Sequence, residues 1–173
     1  EFGFDADFNG TSVKSPAGET ATMTFDAAGN MLTAVAPASL GSATKRPSGM
    51  NPAVWLTGHL LLERKAAGNE VGLGEEITDR DRLFAPGTKP ENLPKGLDGA
   101  AIAREFHALH KRFVAHLKRI DAAALAEPIE RQYPAVPRTR LGALQFLLQH
   151  ETYHVGQVGA LRVMLGKGSW LGN

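Results

Sequence analysis

Cysteine is absent from this sequence of 173 residues. Disulfide bonds and thiolate metal ligands are therefore excluded, and histidine, aspartate and glutamate are the strong metal ligands that remain. No apolar run is long enough to span a bilayer, and no signal peptide is visible, so a cytoplasmic location is the default expectation. The formal net charge is only +1, so we expect neither a nucleic-acid partner nor a membrane partner.

What the chain does contain is typical of a globular domain, with 43% hydrophobic and 21% charged residues. Helical periodicity predicts three long helices, over about 52–67, 98–120 and 139–165. We expect Asn51 to cap the first of them. The apolar arc of the last helix is wide, which predicts that this helix is largely buried. The apolar stripe of the second predicted helix, over 98–120, consists of Ile102, Phe106, Leu109, Phe113, Leu117 and Ile120.

The segments outside these helices have weaker patterns. Residues 1–18 are polar and rich in breakers, and we expect an irregular N-terminal arm there. Residues 19–38 fit either a hairpin around Gly29 or a helix that ends before Pro37. Residues 70–97 form a long loop rich in glycine and proline, which is often functional in a small domain and would cover a pocket.

Three histidines are the candidate metal ligands. His150 and His154 lie four residues apart in a predicted helix, so both imidazoles project from one face and can bind one ion. His59 lies on the apolar side of another predicted helix, one turn after Trp55. Three nitrogen ligands leave a coordination position open, which is typical of a site for chemistry or ligand capture.

Residues 150–154 also match the HExxH pattern of zinc proteases, in which Glu151 would be the general base. Such a protease expects its third ligand downstream, yet no His, Asp or Glu follows His154. A third ligand must therefore come from upstream, which favours His59 and disfavours a protease. Glu151 stays a candidate for a general base, for a partner that orients an imidazole, or for an interface residue.

Other polar residues in these helices have weaker cases. Glu63, one turn past His59, shares the alternatives of Glu151, and Gln157 is placed to face the mouth of a pocket. The other three histidines lie outside the pattern, and we expect surface or interface roles for His107, His110 and His116.

With these motifs in hand, the sequence resembles the DinB-like superfamily of metal-binding four-helix bundles, which includes YfiT-like hydrolases and thiol-dependent transferases. The resemblance covers about residues 19–168 and includes the string LFAPGT in the long loop. In the first-ligand helix the matching residues are Asn51, Trp55, Gly58 and His59. In the second they are His150, His154, Gly156, Gln157 and Arg162.

The resemblance implies an all-α fold, a four-helix bundle with up-down-down-up topology and a long crossover connection. The bundle domain would span residues 19–168, with helix over 19–38, and residues 169–173 would form a C-terminal tail. It also implies a divalent metal, zinc or nickel, held by His59, His150 and His154, and a homodimer.

The resemblance leaves the reaction open. The characterised members of the superfamily imply that the protein uses a low-molecular-weight thiol such as bacillithiol, mycothiol or glutathione. A thiol S-transferase that acts on a small-molecule substrate is therefore the first expectation. A divalent ion lowers the pKa of a thiol and makes it a nucleophile at neutral pH. A metal-dependent hydrolase, with Glu151 or Glu63 as base, and a non-catalytic stress-response protein are the alternatives.

Overall fold

The computed structural model describes residues 49–167 and, for the backbone alone, residues 2–4, 10–14, 20–25 and 31–35. The first of these ranges is helical, with an isolated bridge between Pro128 and Thr139. The shorter ranges are four strands: β1 (Phe2–Phe4), β2 (Gly10–Lys14), β3 (Thr20–Phe25) and β4 (Met31–Val35). The helices are α1 (Ala53–Glu70), α2 (Asp79–Arg82), α3 (Gly99–Leu117), α4 (Ala122–Leu125) and α5 (Arg140–Met164).

The four strands form one antiparallel sheet in the order β1-β2-β3-β4. In the pairing of β3 with β4, Thr24 lies opposite Thr33. The hairpin interpretation of residues 19–38 is therefore confirmed, and the helix that the resemblance implied there is wrong. The reason is local, because alternating β-branched threonines favour an extended chain and Gly29 weakens a helix.

The irregular arm expected over residues 1–18 is likewise wrong where the chain forms β1 and β2. These strands are short, and β1 carries a register shift between Gly3 and Phe4. Such short segments have too few residues to produce a clear alternation of polar and apolar side chains. The tail predicted over residues 169–173 lies outside the described residues.

The helix α1 is the centre of the helical part and packs against both α3 and α5. Its cap is Pro52, without a side-chain hydrogen bond, so the expectation that Asn51 caps it is wrong. The helix also continues through Gly68 to Glu70, beyond the predicted end at about residue 67. A Cβ added at Gly68 would lie 2.8 Å from the side chain of Leu73, so glycine permits close packing of the following loop.

The helix α3 buries Ile102, Phe106, Leu109 and Phe113, which confirms the predicted stripe at these four positions. Its capping residue Asp98 accepts a hydrogen bond from the nitrogen of Ala101, at 2.9 Å. Buried side chains of α1 and α3 form most of the main apolar core.

The helix α5 is less buried than its wide apolar arc predicts. Thr139 caps it by accepting from the nitrogen of Gly142. Leu148, Val163 and Met164 are each at least half exposed. The prediction of a largely buried helix is therefore wrong, because an apolar arc does not ensure that a neighbouring element covers it.

In the described residues, three helices of 18, 19 and 25 residues account for most of the helical part. Residues 49–167 fit the all-α expectation, while the strands before them do not. A fourth long helix is absent from the described ranges, so the four-helix topology stays a prediction. No helix in these ranges combines the length and the apolar character needed to cross a membrane.

Candidate metal centre

The packing of α1 against α5 brings the three predicted histidines together. His59 projects from α1, and His150 and His154 project from α5. His59 and His154 are buried, with 3% and 6% of their surface exposed. One nitrogen from each ring lies within 4.8 Å of the others, as a metal site requires.

The converging atoms are Nε2 atoms. The Nε2 of His150 lies 2.9 Å from the Nε2 of His59 and 3.1 Å from that of His154. A tetrahedral ion with bonds of about 2.0–2.1 Å holds its nitrogen ligands about 3.3 Å apart. The His150 ring therefore needs to separate from each of the other two by only a few tenths of an ångström to accept such an ion.

Acceptors on the far side of two rings set their tautomers. His59 donates from Nδ1 to the main-chain oxygen of Phe84, at 2.8 Å. His154 donates from Nδ1 to Oε1 of Gln157, at 2.7 Å, and Gln157 in turn donates to the hydroxyl of Tyr153. Both rings thus carry their proton on Nδ1 and present an Nε2 lone pair to the cluster, as metal-ligating histidines usually do.

Electrostatics favour the neutral form of His150 and of His154. Burial lowers the pKa of His150 to about 4, and the neighbouring His154 and His59 add to the effect. Burial also lowers the pKa of His154, although its bond to Gln157 acts in the opposite direction. Neutral imidazoles at neutral pH are the form that binds metal.

Aromatic rings enclose two of the histidines. Trp55 stacks on His59 with ring centroids 4.8 Å apart and an interplanar angle of 16°. Its Nε1 donates to the hydroxyl of Thr88 in the long loop, at 3.2 Å. Phe146 stacks on His150 at 5.1 Å. These contacts restrict the rings to the orientation in which their nitrogens converge.

Glu151 occupies a different environment from the three histidines. Its two oxygens accept from Nε and Nη2 of Arg64, at 2.7 and 2.6 Å. Burial raises the pKa of Glu151, against the opposing effect of Arg64. Both residues line an apolar groove between α1, α3 and α5 together with His110, and none of the three clustered histidines lines it.

Glu63 is also held by an arginine. It is 4% exposed, and its Oε2 lies 3.4 Å from Nη2 of Arg131, whose guanidinium covers the ring of Tyr133. The two carboxylates that sequence reasoning offered as bases therefore both face arginines. Their role as base stays a prediction, and the geometry favours the interface alternative for Glu151.

The remaining histidines lie outside the cluster, as expected. His116 bonds through Nε2 to the main-chain oxygen of Val71. Burial lowers the pKa of His107, and it lowers that of His110 to about 4.

Sequence reasoning missed two residues that shape the site, Phe84 and Arg64. A signal for Arg64 was present, because three consecutive charged residues on a helix span about 200° and cannot all avoid the core of a helix packed on several sides. Glu63, Arg64 and Lys65 are indeed all buried. No comparable signal identifies Phe84, since its functional group is a main-chain oxygen.

Comparison with known protein families covers the same three candidate ligands. Residues 24–158 match the sequence model of the DinB superfamily, and this range includes all three clustered histidines. No curated protein and no solved structure matches the chain.

Proposed function

Because the chain belongs to the DinB superfamily, we propose that it holds a divalent metal ion, zinc or nickel, at His59, His150 and His154. The observation that carries this proposal is the convergence of three Nε2 atoms, with the rings of His59 and His154 oriented by acceptors behind them. Three imidazoles without a carboxylate suit a transition metal better than magnesium or calcium.

We further propose that the site serves the transfer of a low-molecular-weight thiol to a small electrophilic substrate. When bound, a divalent ion at this position lowers the pKa of a coordinating thiol and so makes it nucleophilic at neutral pH. The residues of the chain hold the ion, fix the imidazole tautomers and exclude water on the side that Trp55 covers. We expect the mouth of the site on the side of Tyr153, because this residue contacts His154 and is 63% exposed.

The positions of the carboxylates favour transfer of a thiol over hydrolysis. A hydrolase needs a base that takes a proton from water, whereas a thiol that is already ionised needs none. The nearest carboxylates in sequence, Glu63 and Glu151, are both engaged by arginines.

The exposed apolar side chains of α5, Leu148 and Val163 among them, support the expectation of a homodimer.

The test of this proposal combines metal analysis with a panel of thiols. We expect purified protein to carry one equivalent of zinc or nickel, and we expect one of bacillithiol, mycothiol and glutathione to be consumed with a chloronitroarene acceptor. His110→Ala is a matched control, because it removes a histidine outside the cluster and should preserve both properties. Protein without metal affinity overturns the site.

Metal binding without turnover of any thiol would favour the non-catalytic alternative, and hydrolysis of an ester or amide in the absence of thiol would favour the hydrolase.

A further inference from the structure

A partly buried ion cluster joins the long loop to α1 at Lys65, six residues after the candidate ligand His59. Lys65 of α1 donates from Nζ to Oδ2 of Asp81 and to Oε1 of Glu105, at 2.8 Å each. Arg80 pairs with the same two carboxylates, so two positive and two negative side chains balance. Asp81 is 1% exposed and Lys65 4% exposed, so solvent screens the pair formed by these two residues little, whereas Arg80 and Glu105 are partly exposed.

Asp81 also organises the first turn of α2, which Thr78 caps. Its Oδ2 accepts from the nitrogen and from the hydroxyl of Thr78, each at 2.9 Å, and its own nitrogen donates back to that hydroxyl. This reciprocal capping box fixes α2 at its first turn. One carboxylate thus shapes the turn and attaches it to α1.

From this turn the chain leads directly to the acceptor of His59. The main-chain oxygen of Asp81 accepts from the nitrogen of Phe84, at 3.0 Å, and the oxygen of Phe84 accepts from Nδ1 of His59. The ring of Phe84 is buried against Gly58, where an added Cβ would lie 2.5 Å from it. The turn and the residues that follow it are therefore attached to α1 both at Lys65 and at His59.

We propose that Asp81 is a positioning residue of the metal centre, which holds the Phe84 carbonyl in place and thereby fixes the tautomer and orientation of His59. This inference rests on the proposed metal site, but it assigns a role to residues that bind no metal. A partner that orients a histidine ligand typically contributes about 10–100-fold to metal affinity. Asp81 acts one step further out, through the backbone of its own turn.

Asp81→Asn removes the charge that attaches the turn to Lys65 while preserving the shape of the side chain. We expect the variant to bind cobalt(II) about 10-fold more weakly in competition with a chelating dye, which is the low end of that range because Asp81 acts through the backbone. The visible absorption bands of the bound cobalt should shift, because they report coordination geometry. In the metal-free protein, imidazole ¹⁵N resonances should show that His59 loses its single Nδ1–H tautomer.

A second variant, Thr78→Val, tests the same turn with a smaller perturbation, because it removes only the hydroxyl that bonds Asp81. It should move all three measurements in the same direction by a smaller amount. This variant keeps the inference falsifiable if Asp81→Asn does not fold.

Glu75→Gln is the matched control. Glu75 accepts two hydrogen bonds from Arg112 at 2.8 Å, so it also ties the long loop to α3 through an ion pair. It lies outside the turn that carries Phe84, and its substitution should leave cobalt affinity, spectrum and tautomer unchanged.

The outcomes separate this inference from the proposed function. Wild-type protein that binds no cobalt overturns both. Cobalt binding by the wild type, with unchanged affinity, spectrum and tautomer in the folded Asp81 and Thr78 variants, overturns the positioning role alone. An equal loss in the Glu75 variant would also overturn it, because the effect would then reflect general loosening of the loop.

Discussion

At the scale of single residues, the three imidazoles differ in how they are supported. His59 and His154 each donate a proton to a fixed acceptor, whereas His150 meets the cluster through its Nε2 and is oriented mainly by stacking on Phe146. Removal of either of the first two rings therefore deletes a preorganised ligand. Removal of the Phe146 side chain would loosen the orientation of the His150 ring without removing this ligand.

His154→Ala should abolish stoichiometric metal binding, since two imidazoles hold an exchangeable ion poorly against a chelator. Elemental analysis after dialysis against a chelator measures this directly, with His110→Ala as the control. One tightly held metal ion per chain in the His154 variant would contradict the three-histidine assignment.

Glu151→Gln should lower stability and leave chemistry intact. It removes one charge of a buried pair, and loss of one partner from such a pair costs about 3–5 kcal/mol. We expect a lower melting temperature, with unchanged metal content and unchanged turnover per bound metal. Glu75→Gln, which alters a more exposed pair, should cost only about 0–1 kcal/mol.

The general-base role of Glu151 makes the opposite prediction for the same variant. Turnover would fall by about 10²–10⁴ in protein that keeps its metal and its fold. Steady-state kinetics of the metal-replete variant therefore distinguishes the two roles.

At the scale of elements, an ion pair between Asp81 and Lys65 attaches the short helix α2 to α1. Burial by itself would raise the pKa of Asp81, but hydrogen bonds from Lys65 and Thr78 outweigh it and hold the pKa below its usual value of 3.8. Burial likewise acts against Glu105, whose bonds to Lys65 and Arg80 hold its pKa below the usual 4.5.

The stability that these two carboxylates contribute should therefore depend on acid. The unfolded chain takes up protons at a higher pH than the folded protein, so the contribution is complete above about pH 4.5 and is lost as pH falls through the lower folded pKa values. In metal-free protein, the difference in melting temperature between wild type and Asp81→Asn should be constant from about pH 5 to 8.

Below about pH 4 this difference should shrink, because wild-type Asp81 then loses the charge that the variant lacks at every pH. Thermal melts at several pH values measure it. A difference that persists unchanged to pH 3 would show that the carboxylate contributes shape and not charge.

At the scale of the whole molecule, the candidate centre joins α1 to α5. An ion bound only by the folded state stabilises it by linkage, by about 2.7 kcal/mol when the metal is at 100 times its dissociation constant. For a chain of this length we expect chelation to lower the melting temperature by about 5–10 °C.

The His154→Ala protein supplies the control, because its melting temperature should not respond to the chelator. An unchanged melting temperature in wild-type protein that has demonstrably lost its metal would place the metal outside the contact between α1 and α5.

Local sequence determined the helices and the pair of histidines on α5. Capping residues such as Asp98 and Thr139, and apolar residues at helical spacing, act over one or two turns, so they can be read without knowledge of the fold. The spacing of His150 and His154 places them on one face for the same reason. Residues 19–38 show the limit, since the same apolar positions suit a helix or a hairpin until the pairing of β3 with β4 decides.

Only the tertiary structure decided which partner each buried polar group meets. His59 faces the other two histidines because α1 packs on α5, and Glu151 faces Arg64 because the same contact brings these two side chains together. The acceptor of His59 is a main-chain oxygen from a loop 25 residues away, which no side-chain pattern can reveal. Hydropathy likewise fixes the apolar arc of α5 but not its covering, because burial depends on which elements are available to pack against it.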